Sequence, residues 1–506
     1  MSVRQLGAPT LLLALAVAVA VAVALPATVE GQARMVVALP GGAAAASVQR
    51  AVATPDAAPL RWWRTTADAV ERVAVQVPAM PSNNAPGDVV VRVDLGRRYQ
   101  RITGFGAALT DASALLVAAL PPARRDSLWR SLFARGDGGT GLSVLRVPIG
   151  ASDFSVRHYT YDDVPPGETD SALAHFSMAA EPAARMPLLR AARALNPDLR
   201  VVLAPWSAPA WMKTSGSLIG GTLKDDQQAA YARYLVEAVL AYRAAGVPVA
   251  ALSVQNEPAF TPPDYPGMRL TAAQRAALVA QHLGPSLARA APGVQLLEWD
   301  HNWDQPGEPL AVLHDPAARR WIAGVAWHCY AGNVTAQDSV HRAFPQVATW
   351  FTECAGGQWA PKFADNLRWN MATLVVGALR HWATAVVWWN LALDLDGGPH
   401  LGGCGNCRGV LAVDTLTGIV TPNVEFDVLA HASRVLRPGS VRVASDDRPG
   451  GIRSVAVVHP DGGRGIVILN EGTADAIIAL REGARTWRLA VPAGAVVSAT
   501  WGPRRG

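Results

Sequence analysis

Between residues 101 and 395 the chain returns eight times to a short apolar or β-branched run, and a longer stretch, often of helical spacing, follows most of them. The runs are "ITGFGAALT" (102–110), "LSVLRVPIG" (142–150), "RVVLAPW" (200–206), "VAALSVQNE" (249–257), "VQLLEWD" (294–300), "AGVAWHCY" (323–330), "VATWFTEC" (347–354) and "ATAVVWWNLALD" (383–394). Helical spacing marks "DDQQAAYARYLVEAVLAYRAAG" (225–246), "TAAQRAALVAQHLGPSLARA" (271–290) and "DNLRWNMATLVVGALRHWA" (365–383). Thr271 opens the second of these as an N-cap, and Gly246 closes the first as a C-cap. Eight strands alternating with helices favour a closed (β/α)8 barrel over an open doubly wound sheet. No GxGxxG opens a helix after a first strand, so the usual mark of the open alternative is missing.

After "RVLRPGS" (434–440) the pattern changes to short alternating segments such as "IRSVAVVHP" and "GRGIVILNEG", separated by Gly, Asp and Pro turns, which is an all-β signature. "RWWRTTAD" and "DVVVRVDL", ahead of the barrel, have strand character too and are expected to complete the same sheet. The expected fold is therefore α/β: a (β/α)8 TIM barrel over residues 101–432, with a discontinuous β-sandwich side domain from residues 61–100 and 433–506. Residues 34–60, rich in Ala, Gly and Pro, are expected to form a loose linker. Residues 1–33 have the layout of a secretory signal peptide: Arg4, an apolar stretch from Thr10 to Leu25, Pro26, and a small-residue site ending Gly31-Gln32-Ala33. The apolar stretch is short of the roughly 20 residues a spanning helix needs. Export, to a periplasmic or extracellular location, is favoured over an uncleaved anchor.

The 506 residues, 50% hydrophobic and 17% charged, suffice for one large core and a smaller one. The net charge of +5 comes from scattered arginines with no long run of like charge, which argues against a nucleic-acid partner. Four cysteines in an exported chain are either disulfides or buried thiols. Cys404 and Cys407 form a CxxC with no second CxxC to complete a zinc site, so a local disulfide is expected there. Cys329 and Cys354 stand alone and read as buried thiols. Neither a metal nor a cofactor is expected.

Polar and aromatic residues gather at the C-terminal ends of the runs: Asp111, Arg146, Trp206, Asn256 with Glu257, Asp300, His328 with Tyr330, Glu353, and Trp389 with Asn390. A barrel brings all these ends to one rim, where the active sites of such folds sit. Glu257 lies at the end of the fourth run and Glu353 at the end of the seventh, and these two strands face each other obliquely across the rim. Cleaving a glycosidic bond requires one carboxylic acid to protonate the leaving oxygen and one carboxylate on the other face of the sugar. In retaining enzymes the second attacks directly, and the two carboxyl groups lie about 5–5.5 Å apart. Either glutamate alone reads equally well as a salt bridge or a loop cap; the pair, among rim tryptophans, reads as catalytic.

The neighbours take provisional roles. Asn256 could hold a sugar 2-hydroxyl or cap backbone. Tyr330 and Arg146 could each hydrogen-bond an ionised carboxylate, keeping the nucleophile's pKa low while a drier setting raises that of the acid; a purely structural role is open for both. His328 and Asn390 are supporting rim residues. Trp206 and Trp389 offer flat faces for a pyranose ring, although several of the 17 tryptophans must be plain core. Asp111 is either an acceptor for sugar hydroxyls or a helix N-cap.

Seven ordered motifs, "GFGAALTDASALL" (104–116), "LRVPIGASDFSVRHYTYDD" (145–163), "APWSAPAWMKTSGSLIGGTLK" (204–224), "VQNEP" (254–258), "TEC" (352–354), "WNLALDLDGGP" (389–399) and "RPGS" (437–440), together resemble the glucosylceramidase (glucocerebrosidase) family, glycoside hydrolase family 30. The resemblance implies a retaining β-glycosidase on a barrel with a β-sandwich, needing no metal. It also implies Glu257 as acid/base, Glu353 as nucleophile, and Asp111, Trp206, Asn256, Tyr330 and Trp389 as sugar-binding positions. Two departures stand out. Ala107 replaces a frequent glycine, and the Gly/Cys loop "GGPHLGGCGNCRG" (397–409) is closer to microbial members than to animal lysosomal ones.

The expected function is hydrolysis of a β-glucoside by double displacement, with glucosylceramide as the first substrate and a glycolipid's membrane surface as a transient contact. The alternative within the same chemistry is an endo-β-1,6-glucanase or another β-glycosidase. A catalytically dead sugar-binding barrel would have been free to lose either glutamate, and a CxxC redox protein lacks the βα context its site wants.

Overall fold

Each of the eight runs forms one strand of a closed parallel barrel: β1 (Gly104–Ala108), β2 (Val144–Ile149), β3 (Arg200–Pro205), β4 (Val249–Ser253), β5 (Gln295–Asn302), β6 (Ile322–His328), β7 (Ala348–Glu353) and β8 (Ala383–Trp388). They pair in sequence order, and β8 returns to β1 with Ala385 opposite Gly104. The computed structural model describes residues 59–502 except residue 137. The expected signal peptide, and the expected linker up to residue 58, lie outside the described residues. Leu60, assigned to that linker from sequence, is instead fully buried and bridges Ala79, because the sandwich core already begins there.

Mostly small side chains fill the barrel: Val144, Val202, Ala251, Leu297, Ala326, Ala385 and Val387 cluster with the single large ring of Trp350. Gly324 on β6 makes room for it, since a Cβ there would come within 2.9 Å of the Trp350 ring. Outside, the helix Gln228–Ala244 buries Tyr231, Tyr234, Leu235 and Tyr242 against the barrel and is followed by Gly246 at φ 80°. Thr271 caps the helix beginning at Ala272 through a capping box with Gln274, as the spacing predicts. Among the described residues no helix is long and apolar enough to cross a membrane.

The side domain draws on both ends of the chain. Arg61–Thr65 lies antiparallel to Val496–Trp501. The long strand Val89–Arg101 runs parallel to Ala476–Glu482 over its first residues and antiparallel to Val441–Ser445 after that. Two register shifts let one strand serve both partners, and the same strand leads into β1. Leu60, Val91, Ile466, Ile478, Trp487 and Val497 belong to its separate core. Barrel and side domain are joined by the helix Val424–Val435, whose buried His431 bonds Thr65 and Ser498, both at 2.8 Å.

Both cysteine pairs are bonded. Cys404 joins Cys407 across the expected CxxC. Cys329 and Cys354, expected as buried thiols, instead form a second disulfide with Cα atoms 5.4 Å apart. The reason is topological: each cysteine directly follows the last residue of a barrel strand, and β6 and β7 are parallel neighbours.

Candidate active site

Glu353 is the last residue of β7. Glu257 lies beyond the end of β4, in a turn that holds it at φ 47°. Its N–H donates to the carbonyl of Asp300 at 3.0 Å, and Asp300 and Trp299 on β5 also have positive φ, at 53° and 75°. Three non-glycine residues in the left-handed region, two of them joined by a backbone bond, concentrate strain at the rim. One carboxylate oxygen of Glu257, one of Glu353 and a ring nitrogen of His328 all lie within 4.8 Å of one another.

Arg146, fully buried at the centre of β2, organises this pair. Its Nη1 donates to Glu353 at 2.5 Å, and its Nη2 to Asn256 Oδ1 at 2.6 Å and to Asp300 at 2.8 Å. Its guanidinium also lies 4.9 Å from the Trp206 ring centroid and 5.7 Å from that of Trp389. Burial alone would lower its pKa, but the charges of Asp300 and Glu353 outweigh that and hold it protonated. Because Arg146 occupies Oδ1 of Asn256, the orientation of that amide is set, and its NH2 has no partner among the described residues.

Tyr330 completes the shell of Glu353, donating from its hydroxyl at 2.9 Å; the residue as a whole is 45% exposed, while the hydroxyl end is buried against Glu353. Burial, followed by the charges of Glu353 and Glu257, pushes its phenol well above the ordinary value, so it remains a donor. His328 bridges Glu257, at 3.2 Å from Nδ1, and Asp300, at 3.1 Å from Nε2. Burial would lower its pKa, yet Glu353 and the bonds to Asp300 and Glu257 raise it to about 9. Asp300 is in turn held far below the carboxylate range, against burial, by Arg146 and His328.

The two glutamates depart from the expected electrostatics. Burial raises Glu353, with the Glu257 charge adding to the push and those of His328 and Arg146 opposing it. Glu257 is lowered, against burial, by its hydrogen bond with His328 and by the charges of His328, His301 and Arg146. The expectation of a low nucleophile and a raised acid is thus reversed, because the imidazolium sits on Glu257. Carboxylates this close titrate as a pair, so whichever binds the proton favours ionisation of the other.

Other rim residues are placed differently from the sequence expectation. Trp206 and Trp389 do not present open faces: they stack on each other at 5.1 Å and 21°, each 3% exposed. Their indole N–H groups have no acceptor among the described residues, so the edges are what they offer a sugar. Asp111 is not the N-cap; Thr110 caps the helix Asp111–Ala119. The Asp111 carboxylate, 2% exposed, accepts from Arg185 and from Tyr159 at 3.0 Å, and is engaged before any sugar arrives. Asn390, at φ 60°, accepts from Thr110 Oγ1 at 2.8 Å and so steadies that helix start.

Two acidic-site neighbours were missed from sequence. His301 lies 3.7 Å from Glu257, with its pKa lowered by burial to about 4. It follows Asp300 directly, and the fifth run continues two residues further than the pattern suggested. Asp153, in "GASDFS" after β2, is nearly buried, and burial plus the charges of Glu353 and Glu257 raise its pKa well up. An acid in a conspicuous loop motif was the available signal. Among the described residues, Glu257, His328 and Glu353 are the group close enough to hold a metal ion. The imidazolium and the guanidinium already neutralise that group, so its chemistry fits a proton-sharing acid pair.

Comparison with known proteins agrees with this architecture. Residues 102–434 match the glycosyl hydrolase family 30 TIM-barrel domain and residues 439–499 the glycosyl hydrolase family 30 beta sandwich domain. An endo-1,6-beta-D-glucanase of Neurospora crassa is 33% identical over 372 residues, 71% of this chain and 75% of that protein. The lysosomal acid glucosylceramidase of Mus musculus is 30% identical over 401 residues, 74% of this chain and 75% of that one. Among solved structures, an endo-beta1,6-glucanase superposes with a TM-score of 0.82 at 28% identity, covering 88% of this chain and 99% of that one.

Proposed function

The chain belongs to glycosyl hydrolase family 30, and from that premise we propose that it is a retaining endo-β-1,6-glucanase. The observation that carries the chemistry is the Glu257–Glu353 pair, with carboxylate oxygens within 4.8 Å, the close spacing of direct attack rather than the wider one that admits a water. The glucan assignment is supported by the Neurospora crassa relative and by the solved endo-beta1,6-glucanase.

In this reading a glucosyl unit entering the cleft strips water from Glu257, which raises the cost of its charge and moves the shared proton onto it. Arg146 and Tyr330 keep the anion on Glu353. Glu353 then attacks the anomeric carbon while Glu257 gives its proton to the departing oxygen, leaving a glycosyl-enzyme ester. Glu257, now ionised, takes a proton from water, which attacks the same carbon and releases the sugar with its β configuration. The free NH2 of Asn256 donates to the 2-hydroxyl, and the indole edges of Trp206 and Trp389 donate to other hydroxyls. An exported enzyme would meet such a polymer outside the cell.

A second reading, glucosylceramide hydrolysis at a membrane surface, is supported by the mouse relative. Purified chain assayed in parallel on β-1,6-glucan and on glucosylceramide separates the two. Release of glucose or gluco-oligosaccharides from the glucan, lost in Glu353→Gln, is expected; turnover of glucosylceramide alone would overturn the glucanase reading.

A further inference from the structure

Beside the glutamate pair, beyond Tyr330 and the Cys329–Cys354 disulfide, lies a groove of about 460 Å³ that the mechanism does not use. Two indoles wall it, Trp359 and Trp369, and they are 54% and 45% exposed. Among the described residues they are the two exposed tryptophans, and two such faces on one groove form an apolar patch suited to a ligand. Neither stacks on another aromatic ring among the described residues. Asp365, 58% exposed, adds a carboxylate at the lip.

The Trp359 side of this groove is built rather than loose. Gly356 and Gly357, just after β7, pair antiparallel with Arg408 and Cys407 of the disulfide hairpin. The Trp359 ring lies over Gly357, where a side chain on that glycine would collide with it. Arg408 donates to the carbonyls of Gly357 and Ala360, both at 3.3 Å, and is itself held by Glu425 at 2.7 Å. A rigid indole costs little ordering entropy when a ligand stacks on it.

We propose that this groove is a remote sugar subsite, holding a glucosyl unit of the β-linked glucan away from the scissile bond. The apolar C–H face of a glucose ring suits the indoles, its hydroxyl rim suits Asp365, and Tyr330 makes the groove continuous with the acid pair. The inference rests on the glucanase reading, and it accounts for the Gly/Cys loop (397–409), whose hairpin buttresses Trp359.

The test compares wild type with Trp359→Ala, Trp369→Ala and the double variant on polymeric β-1,6-glucan and on p-nitrophenyl β-glucoside, which has no second glucosyl unit to place in the groove. The double variant is expected to raise KM for the polymer about tenfold, a loss of about 1.4 kcal/mol of binding, and to keep kcat/KM on the aryl glucoside within about twofold. The retained aryl activity certifies the fold, and each single variant is expected to lie between. An unchanged polymer KM, or an equal loss on both substrates, overturns the subsite while leaving the glucanase reading intact. A wild-type chain that cleaves the aryl glucoside but not the polymer overturns both.

Discussion

Replacing Arg146 by glutamine removes the one cation that holds Glu353, Asn256 and Asp300 together, at 2.5, 2.6 and 2.8 Å. A hydrogen bond to a charged group contributes about 1.5–3 kcal/mol. At 1.36 kcal/mol per pKa unit, its loss raises Glu353 by about 1–2 units. The nucleophile must be ionised to attack, so the acidic limb of kcat, which reports the substrate complex in which the proton has moved to Glu257, moves to higher pH by about that amount. Arg146→Lys keeps the charge but not the three-way bridge, and its shift is expected to be smaller. Both variants lose stability, because buried Asp300 gives up one of its two charged partners and keeps His328; the cost is expected to stay below the about 3–5 kcal/mol of a buried charge left with no partner. The assay is the pH profile on an aryl β-glucoside, with a thermal melt of each variant as the control. A folded Arg146→Gln enzyme whose acidic limb has not moved would refute this electrostatic account.

Glu257→Gln is expected to lower kcat/KM, which reads the step that expels the leaving group, by about 10²–10⁴-fold on natural glucosides and far less on aryl glucosides with good leaving groups, since only the former need the proton to depart; equal losses in kcat/KM would remove Glu257 from the acid role. His328→Asn should move the basic limb of kcat upward, because the imidazolium is what lowers Glu257, the proton donor of the substrate complex, and an unmoved or lowered limb would contradict that. His328 rises from 6.5 to about 9 on folding, so its stabilising contribution is complete below pH 6.5 and is lost as pH climbs through 9. Melting temperatures of wild type should fall across that window more than those of the variant. Cys329→Ser with Cys354→Ser opens a loop of sequence separation 25, which should cost about 3 kcal/mol, measured as a lowered melting temperature; an unchanged melt would show the bridge to be dispensable.

The barrel was legible because each strand is buried and each return is interrupted by a helix, so eight apolar runs stand out as units. The glutamate pair was legible because a barrel gathers strand ends, which brought Glu257 and Glu353 together without any distance being known. What escaped the pattern depends on neighbours in space. The Cys329–Cys354 bond needs β6 beside β7, the mutual stacking of Trp206 and Trp389 needs the ends of β3 and β8 to converge, and the lowered pKa of Glu257 needs an imidazolium that reaches it from β6. Asp111 looked like a free acid or a cap because Arg185, its partner, lies 74 positions away.

The most direct test follows the anomeric proton by NMR as purified enzyme cuts β-1,6-glucan. The new reducing ends should appear first as the β anomer and reach the α form only by mutarotation, with Glu353→Gln releasing none. Reducing ends that appear first as the α anomer, or an active Glu353→Gln enzyme, would contradict double displacement through Glu353.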